Sequence, residues 1–142
     1  MADALTLRVI TPEKIVIDTT ASAVTFPALD GGMGVLPRHA PMVAALDAGQ
    51  LAFEAGGERQ EMFISGGFAE VRDNTVRVVT EASEPASDID VERAASAAKR
   101  ARERLGAGKN QADGEPFDFL RAEAALRRAL MRKLVADRSR RG

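Results

Sequence analysis

A chain of 142 residues, 45% hydrophobic and carrying a net charge of -1, has room for one domain with an appendage and enough apolar mass to bury a core. It contains no Cys, which excludes disulfides and thiolate metal sites and suits a reducing compartment. No stretch nears the ~20 apolar residues of a membrane helix, and Met1–Leu5 lacks the basic and greasy regions of a secretory signal. A soluble chain that meets a membrane only through partners is expected.

The charge is unevenly spread. Residues 1–87 hold 6 Lys and Arg against 12 Asp and Glu, and residues 88–142 hold 14 against 9. Two halves of opposite sign suggest two modules with different contacts. A solvated basic helix would explain the second half equally well.

In chain order, Leu5, Leu7 and Val9 alternate with Thr6, Arg8 and Ile10, a period near 2 that predicts a strand. Lys14–Asp18 and Ala23–Ala28 are further β-branched runs. Leu51–Ala55 and Glu58–Ile64 flank Gly56-Gly57, and paired glycines supply the positive φ angles of a tight primed turn. Ala69–Arg72 and Thr75–Glu81 flank Asp73-Asn74 in the same way. Short strands at this spacing predict a sandwich or barrel.

Near Pro85 the pattern changes to Ala-rich sequence without β-branched runs. Asp88 or Asp90 can cap a helix that runs to about Leu105. Val91, Ala94, Ala98, Ala101 and Leu105 then share one face, and Gly106-Ala107-Gly108 ends it. Residues 109–116 read as a polar loop. A second helix is expected from about Phe117 to Arg138, with Phe119, Leu126, Leu130 and Leu134 as its apolar stripe. Arg127, Arg128, Arg132, Lys133 and Arg138 lie largely off that stripe. The fold class is thus β + α: an N-terminal β-sandwich over 1–86, a C-terminal antiparallel two-helix hairpin over 88–138, and a basic tail at 139–142. The Ala-rich contact should hold the hairpin weakly, since Ala buries far less than the ~1.5–3 kcal/mol of a Leu or Val. Such a hairpin beside a solid sandwich is a candidate moving part.

Gly31-Gly32-Met33-Gly34-Val35-Leu36-Pro37-Arg38-His39-Ala40-Pro41 resembles the signature G-x-x-G-[IV]-x-P-x-H-A-P of the epsilon subunits of bacterial F-type ATP synthases. Ser65-Gly66-Gly67-Phe68-Ala69-Glu70-Val71 is similar to their S-G-G-F-x-E-V. The Ala-rich helix, polar loop and Arg-rich helix complete the likeness in family order. Physically these motifs look structural: Gly31, Gly34 and Gly66-Gly67 fit positions needing positive φ or no side chain, and Pro37 and Pro41 stiffen a turn. His39, the only histidine, reads as a hydrogen-bonded turn residue before it reads as a base or ligand.

The resemblance implies a non-catalytic central-stalk subunit that binds the gamma subunit and joins it to the membrane c-ring. The turn carrying Arg38, His39 and Met42 would face that ring. The hairpin would fold on the sandwich or extend toward the alpha/beta catalytic head, where it inhibits ATP hydrolysis. The chain would lie peripherally on the cytoplasmic face of the bacterial inner membrane.

Some family members bind ATP on the folded hairpin through an I/L-D-x-x-R-A motif. Ile89-Asp90-Val91-Glu92-Arg93-Ala94 matches it. Arg100, Arg128 and Arg132 match the further arginines, and Glu84 an acidic position ahead of the helix. The implied role for ATP is that of a regulatory ligand, and no cofactor is required. Arginines at helical spacing on two helices can clamp a triphosphate with charge-assisted bonds. Without a Gly-rich phosphate loop or its lysine, this would be sensing and not hydrolysis. The plain alternative is that Asp90 caps the helix and the arginines are solvated or meet a protein partner.

Two other readings compete. An enzyme needs a nucleophile, base and orienter, and one His, no Cys and Ser65 outside a G-x-S-x-G context do not supply them. A stand-alone nucleotide-binding regulatory module, or one that binds nucleic acid, would not need the glycine signatures, and no aromatic residues are interleaved with the arginines for base stacking.

Overall fold

The structure, a computed structural model, describes residues 4–108 and 119–141. The expected loop over 109–116 and the helix start at Phe117 lie outside the described residues. The elements are β1 (Leu5–Ile10), β2 (Ile15–Ala21), β3 (Ala23–Ala28), β4 (Gly31–Val35), β5 (Met42–Ala55), β6 (Glu58–Arg72), β7 (Thr75–Val79) and β8 (Ser83–Pro85). A 3-10 turn at Ala86–Asp88 leads into α1 (Val91–Gly108) and α2 (Phe119–Arg141).

The strands follow the order β2-β1-β7-β6-β5-β3-β4, with β8 added to β6. Among the described residues only the β1–β7 pairing is parallel. The sheet folds over on itself as a sandwich, because each strand has one apolar face to hide. Leu5, Leu7 and Val9 meet Val24, Phe26, Leu51, Phe53, Met62, Ile64, Val76 and Val78 in one core. Both expected tight turns form: φ is +60° and +81° at Gly56 and Gly57, and +50° and +56° at Asp73 and Asn74. Such angles match the twist of the flanking strands.

β5 and β6 are longer than the separate runs read from sequence. They form one ribbon whose inward face changes midway. Leu46 is buried on β5, then Leu51 and Phe53; Met62 and Ile64 are buried on β6, then Ala69 and Val71. The buried parity therefore switches on both strands around Gly49 and Gly66-Gly67. At Gly67 a side chain has no place, since an added Cβ would stand 1.9 Å from the Val79 carbonyl oxygen. Gly34 departs from expectation. It has no positive φ, and an added Cβ would make only an ordinary 3.7 Å contact with Thr25.

The switch leaves the outer face of the β5–β6 ribbon free to receive α2. Phe63, Ala86, Ile89, Val135 and Ala136 form a second buried cluster there, with Ala48, Val91 and Met131 against it. Arg127 pairs with Asp47 beside it. Helix α1 packs on α2 through Ala94, Ala98 and Ala101, all buried, as are Ala122 and Ala129 opposite. Helix α1 runs through Gly106 to Gly108 rather than ending before them. Gly106 faces open space and adds a helix cost of only about 1 kcal/mol.

The expected stripe of α2 holds only at Leu126, which is half-buried. Phe119, Leu130 and Leu134 are exposed, at 48%, 36% and 39%. The helix turns its alanines inward because α1 offers an alanine face, and small residues on both sides let two backbones approach closely. Arg132, expected off the stripe, is half-buried instead. Helix α2 also continues past Arg138 to Arg141. No helix among the described residues is long and apolar enough to cross a membrane.

Candidate functional site

A cleft of about 470 Å³ opens where β8, the 3-10 turn and the two helices meet, lined by Glu84, Asp88, Asp90, Arg93, Arg100 and Arg132 with Ala94, Ala97 and Ala129. Its size suits a small-molecule ligand. Each element presents its part for a local reason. Asp90 caps α1: its Oδ1 accepts the Arg93 N–H at 3.0 Å, and the Ala94 N–H donates to the Asp90 carbonyl at 3.0 Å. With the helix started there, Arg93, Ala97 and Arg100 follow at spacings of 4 and 3, one face of two turns. Ala94, Ala97 and Ala129 form a low floor under the charges. β8 pairs with β6 so that Glu84 stands opposite Phe63.

Three arginines thus face three carboxylates across one cleft. Arg132 is the most constrained. Its guanidinium carbon sits 4.5 Å from the centroid of the Phe63 ring. Burial pushes Arg132 below the ordinary arginine range; Glu84 opposes the shift, and Arg128 and Arg93 add to it. The charged side chain is thus held where it is poorly solvated and has two like charges near it, a place where an anion is favoured.

The structure gathers Glu84, Asp90, Arg93, Ala94, Arg100 and Arg132 from the sequence reading. Two expected members fall outside the lining. Ile89 is 5% exposed and packs with Phe63 and Val135; its apolar side chain anchors the turn instead. Arg128 is not part of the lining but lies near enough to lower the pKa of Arg132 by like charge. Asp88, Ala97 and Ala129 were missed. In the sequence Asp88 reads only as an alternative cap, and the two alanines carry no chemical signal in a chain so rich in Ala.

At one end of the sandwich, the turn after β4 leans on the β6–β7 turn. The Arg38 N–H donates to Asn74 Oδ1 at 2.6 Å, with Arg38 at a φ of +68°. His39 makes a turn bond, its Nδ1 2.8 Å from the Ala40 carbonyl oxygen. Met42 is partly buried and packs against the main core, and Leu36, in the turn before it, is 63% exposed. Ser65 serves structure, its Oγ accepting the Ala82 N–H at 3.0 Å. No cluster of metal-ligating side chains occurs among the described residues.

The profile of the ATP synthase delta/epsilon chain β-sandwich domain matches residues 4–86, and that of the long α-helix domain of the same chain matches residues 87–136. The ATP synthase epsilon chain of Nitratidesulfovibrio vulgaris (strain DP4) is 44% identical over 95% of this chain and 97% of its own length. That of Symbiobacterium thermophilum is 46% identical over 96% and 94%. A chain in the Euglena gracilis mitochondrial ATP synthase, solved as an OSCP/F1/c-ring assembly, superposes with a TM-score of 0.75 at 30% identity, covering 94% of this chain and 81% of its own. Two matched domains in order and full-length bacterial relatives place this chain in the ATP synthase delta/epsilon family, among its epsilon chains.

Proposed function

We propose that this chain is a non-catalytic rotor subunit of the ATP synthase central stalk whose docked hairpin binds ATP as a regulatory ligand. The observation that carries the nucleotide reading is the composition of the cleft. Arg93 and Arg100 come from α1, Arg132 from α2 and Glu84 from the sandwich, so the set exists only while the hairpin is seated. The arginines suit a triphosphate, and Glu84, Asp88 and Asp90 suit the donors of a base or ribose. ATP then favours the seated hairpin by its differential affinity for that state. Without ATP the hairpin extends toward the catalytic head and restrains hydrolysis, its basic surface steered by acidic segments there.

The stalk reading has its own surface. On β5 and β6, Val43 is 69% exposed and Phe68 45% exposed. Phe68 stands opposite Ala45, and Leu29, 64% exposed, bonds through its N–H to the Ala45 carbonyl. Contiguous apolar surface of this kind marks a protein interface, and gamma is the proposed partner. The Leu36–Pro41 turn, with Arg38 and His39, is the proposed contact with the c-ring at the cytoplasmic side of the membrane.

Calorimetric titration with ATP, with and without magnesium, tests the cleft. Wild type should bind saturably. Arg93→Ala and Arg100→Ala should each weaken binding about tenfold or more, as loss of a charge-assisted bond does; Arg128→Ala, outside the lining, should weaken it less. Absence of binding at millimolar ATP would reduce the cleft to a helix start with solvated arginines.

A further inference from the structure

Phe63 is completely buried, yet it belongs to the second cluster under α2 and not to the main core. It does not line the cleft, whereas Arg132, whose guanidinium it carries, does. Register sets Phe63 opposite Glu84, so a ring and a carboxylate rise from neighbouring strands toward the same arginine.

Two ways of holding an arginine occur side by side on α2. Asp47 holds Arg127 by opposite charge, and a charge so neutralised has little left for an anion. Phe63 holds Arg132 through its ring quadrupole, which attracts a cation without bringing a compensating unit charge. Glu84 offsets part of the Arg132 charge, but burial and the like charges of Arg128 and Arg93 outweigh it, so Arg132 stays attractive to phosphate while its long stem is already ordered by the ring, and preorganisation of that kind raises affinity.

We infer that Phe63 is the positioning residue of the cleft: it fixes Arg132 for a nucleoside triphosphate that it never touches, and so ties ligand affinity to the seating of α2 on β6. The inference rests on the nucleotide reading above. By linkage the tie works in both directions. A firmer grip on Arg132 raises affinity, and a bound triphosphate strengthens the seating of α2. The poor solvation of Arg132 between Arg128 and Arg93 agrees with this, since an anion offsets it only in the seated state.

The test uses full-length chains carrying phenylalanine analogues with one, two or three ring fluorines at position 63. These nearly keep the ring's shape and progressively drain its quadrupole. Each is titrated with ATP beside wild type. Affinity should fall stepwise, reaching about tenfold with three fluorines, in line with a desolvated cation–π contact. An affinity that stays flat while wild type binds overturns the positioning role and leaves the nucleotide reading standing. A loss complete at one fluorine and indifferent to the rest marks damaged packing and also overturns it. A wild type that takes up no ATP removes both.

Discussion

A methyl group at Gly67 would stand 1.9 Å from the Val79 carbonyl oxygen at a φ of +118°. Gly67→Ala should therefore cost about 3 kcal/mol or more, read as a drop in denaturation midpoint. Gly34→Ala, with only a 3.7 Å contact to Thr25, should stay within about 0.5 kcal/mol. Both glycines stand in the signatures and looked alike in sequence. What separates them is a carbonyl on β7, which spacing along the chain does not reveal. The arginines divide similarly. Helical spacing made Arg93 and Arg100 legible as a pair, but the burial of Arg132 depends on Phe63 across the α2–β6 contact. Arg132→Met keeps an apolar stem on that ring but gives up the cation–π attraction, worth about 0.5–2 kcal/mol. Amide exchange should show α2 somewhat less protected than in wild type without ATP, with the gain on adding ATP smaller than in wild type.

Among the elements, strands with one buried face announced themselves by alternation, and both tight hairpin turns by their residue pairs. The change of inward face along β5 and β6 did not. Each half alternates correctly, but nothing local says that Leu46 and Leu51 serve the same core. Helix α2 misled for a different reason. Leucine spacing identified its most apolar face, yet its partner α1 presents alanines, and fit outweighed side-chain hydrophobicity. Ala98, 3% exposed and outside the cleft lining, should not tolerate a larger side chain. Ala98→Leu should cost about 1–3 kcal/mol by overpacking, seen as hairpin opening in a distance measurement between α1 and α2. The Asp47–Arg127 pair is more modest because Arg127 is 57% exposed. A double-mutant cycle with Asp47→Asn and Arg127→Gln should give a coupling of about 0.5–1 kcal/mol that shrinks as salt is added.

For the molecule as a whole, the main core contains no residue of either helix. A chain ending at Asp88 should fold as the same sandwich, with a melting temperature within about 8 °C of the full chain; its chief loss is the cover over Phe63. The division into sandwich and hairpin was legible because the composition changes at Pro85, while the cleft's full membership was not, because it joins the 84–100 stretch to Ala129 and Arg132 on α2. Within the sandwich, β1 is sealed on one side by β2, its immediate successor, and on the other by β7 in parallel register, Thr6 to Thr75 through Ile10 to Val79. That parallel pairing has a consequence for synthesis. A chain leaving the ribosome N-terminus first can form the β1–β2 hairpin at once, but the β1–β7 seam must wait until Val79 has emerged. At about 5–20 residues per second the β7-facing edge of β1, with its unpaired N–H and C=O groups, stays open for several seconds, and a pairing so distant along the chain is slow to close even then. The newborn subunit is therefore at its stickiest just before its two helices begin to appear.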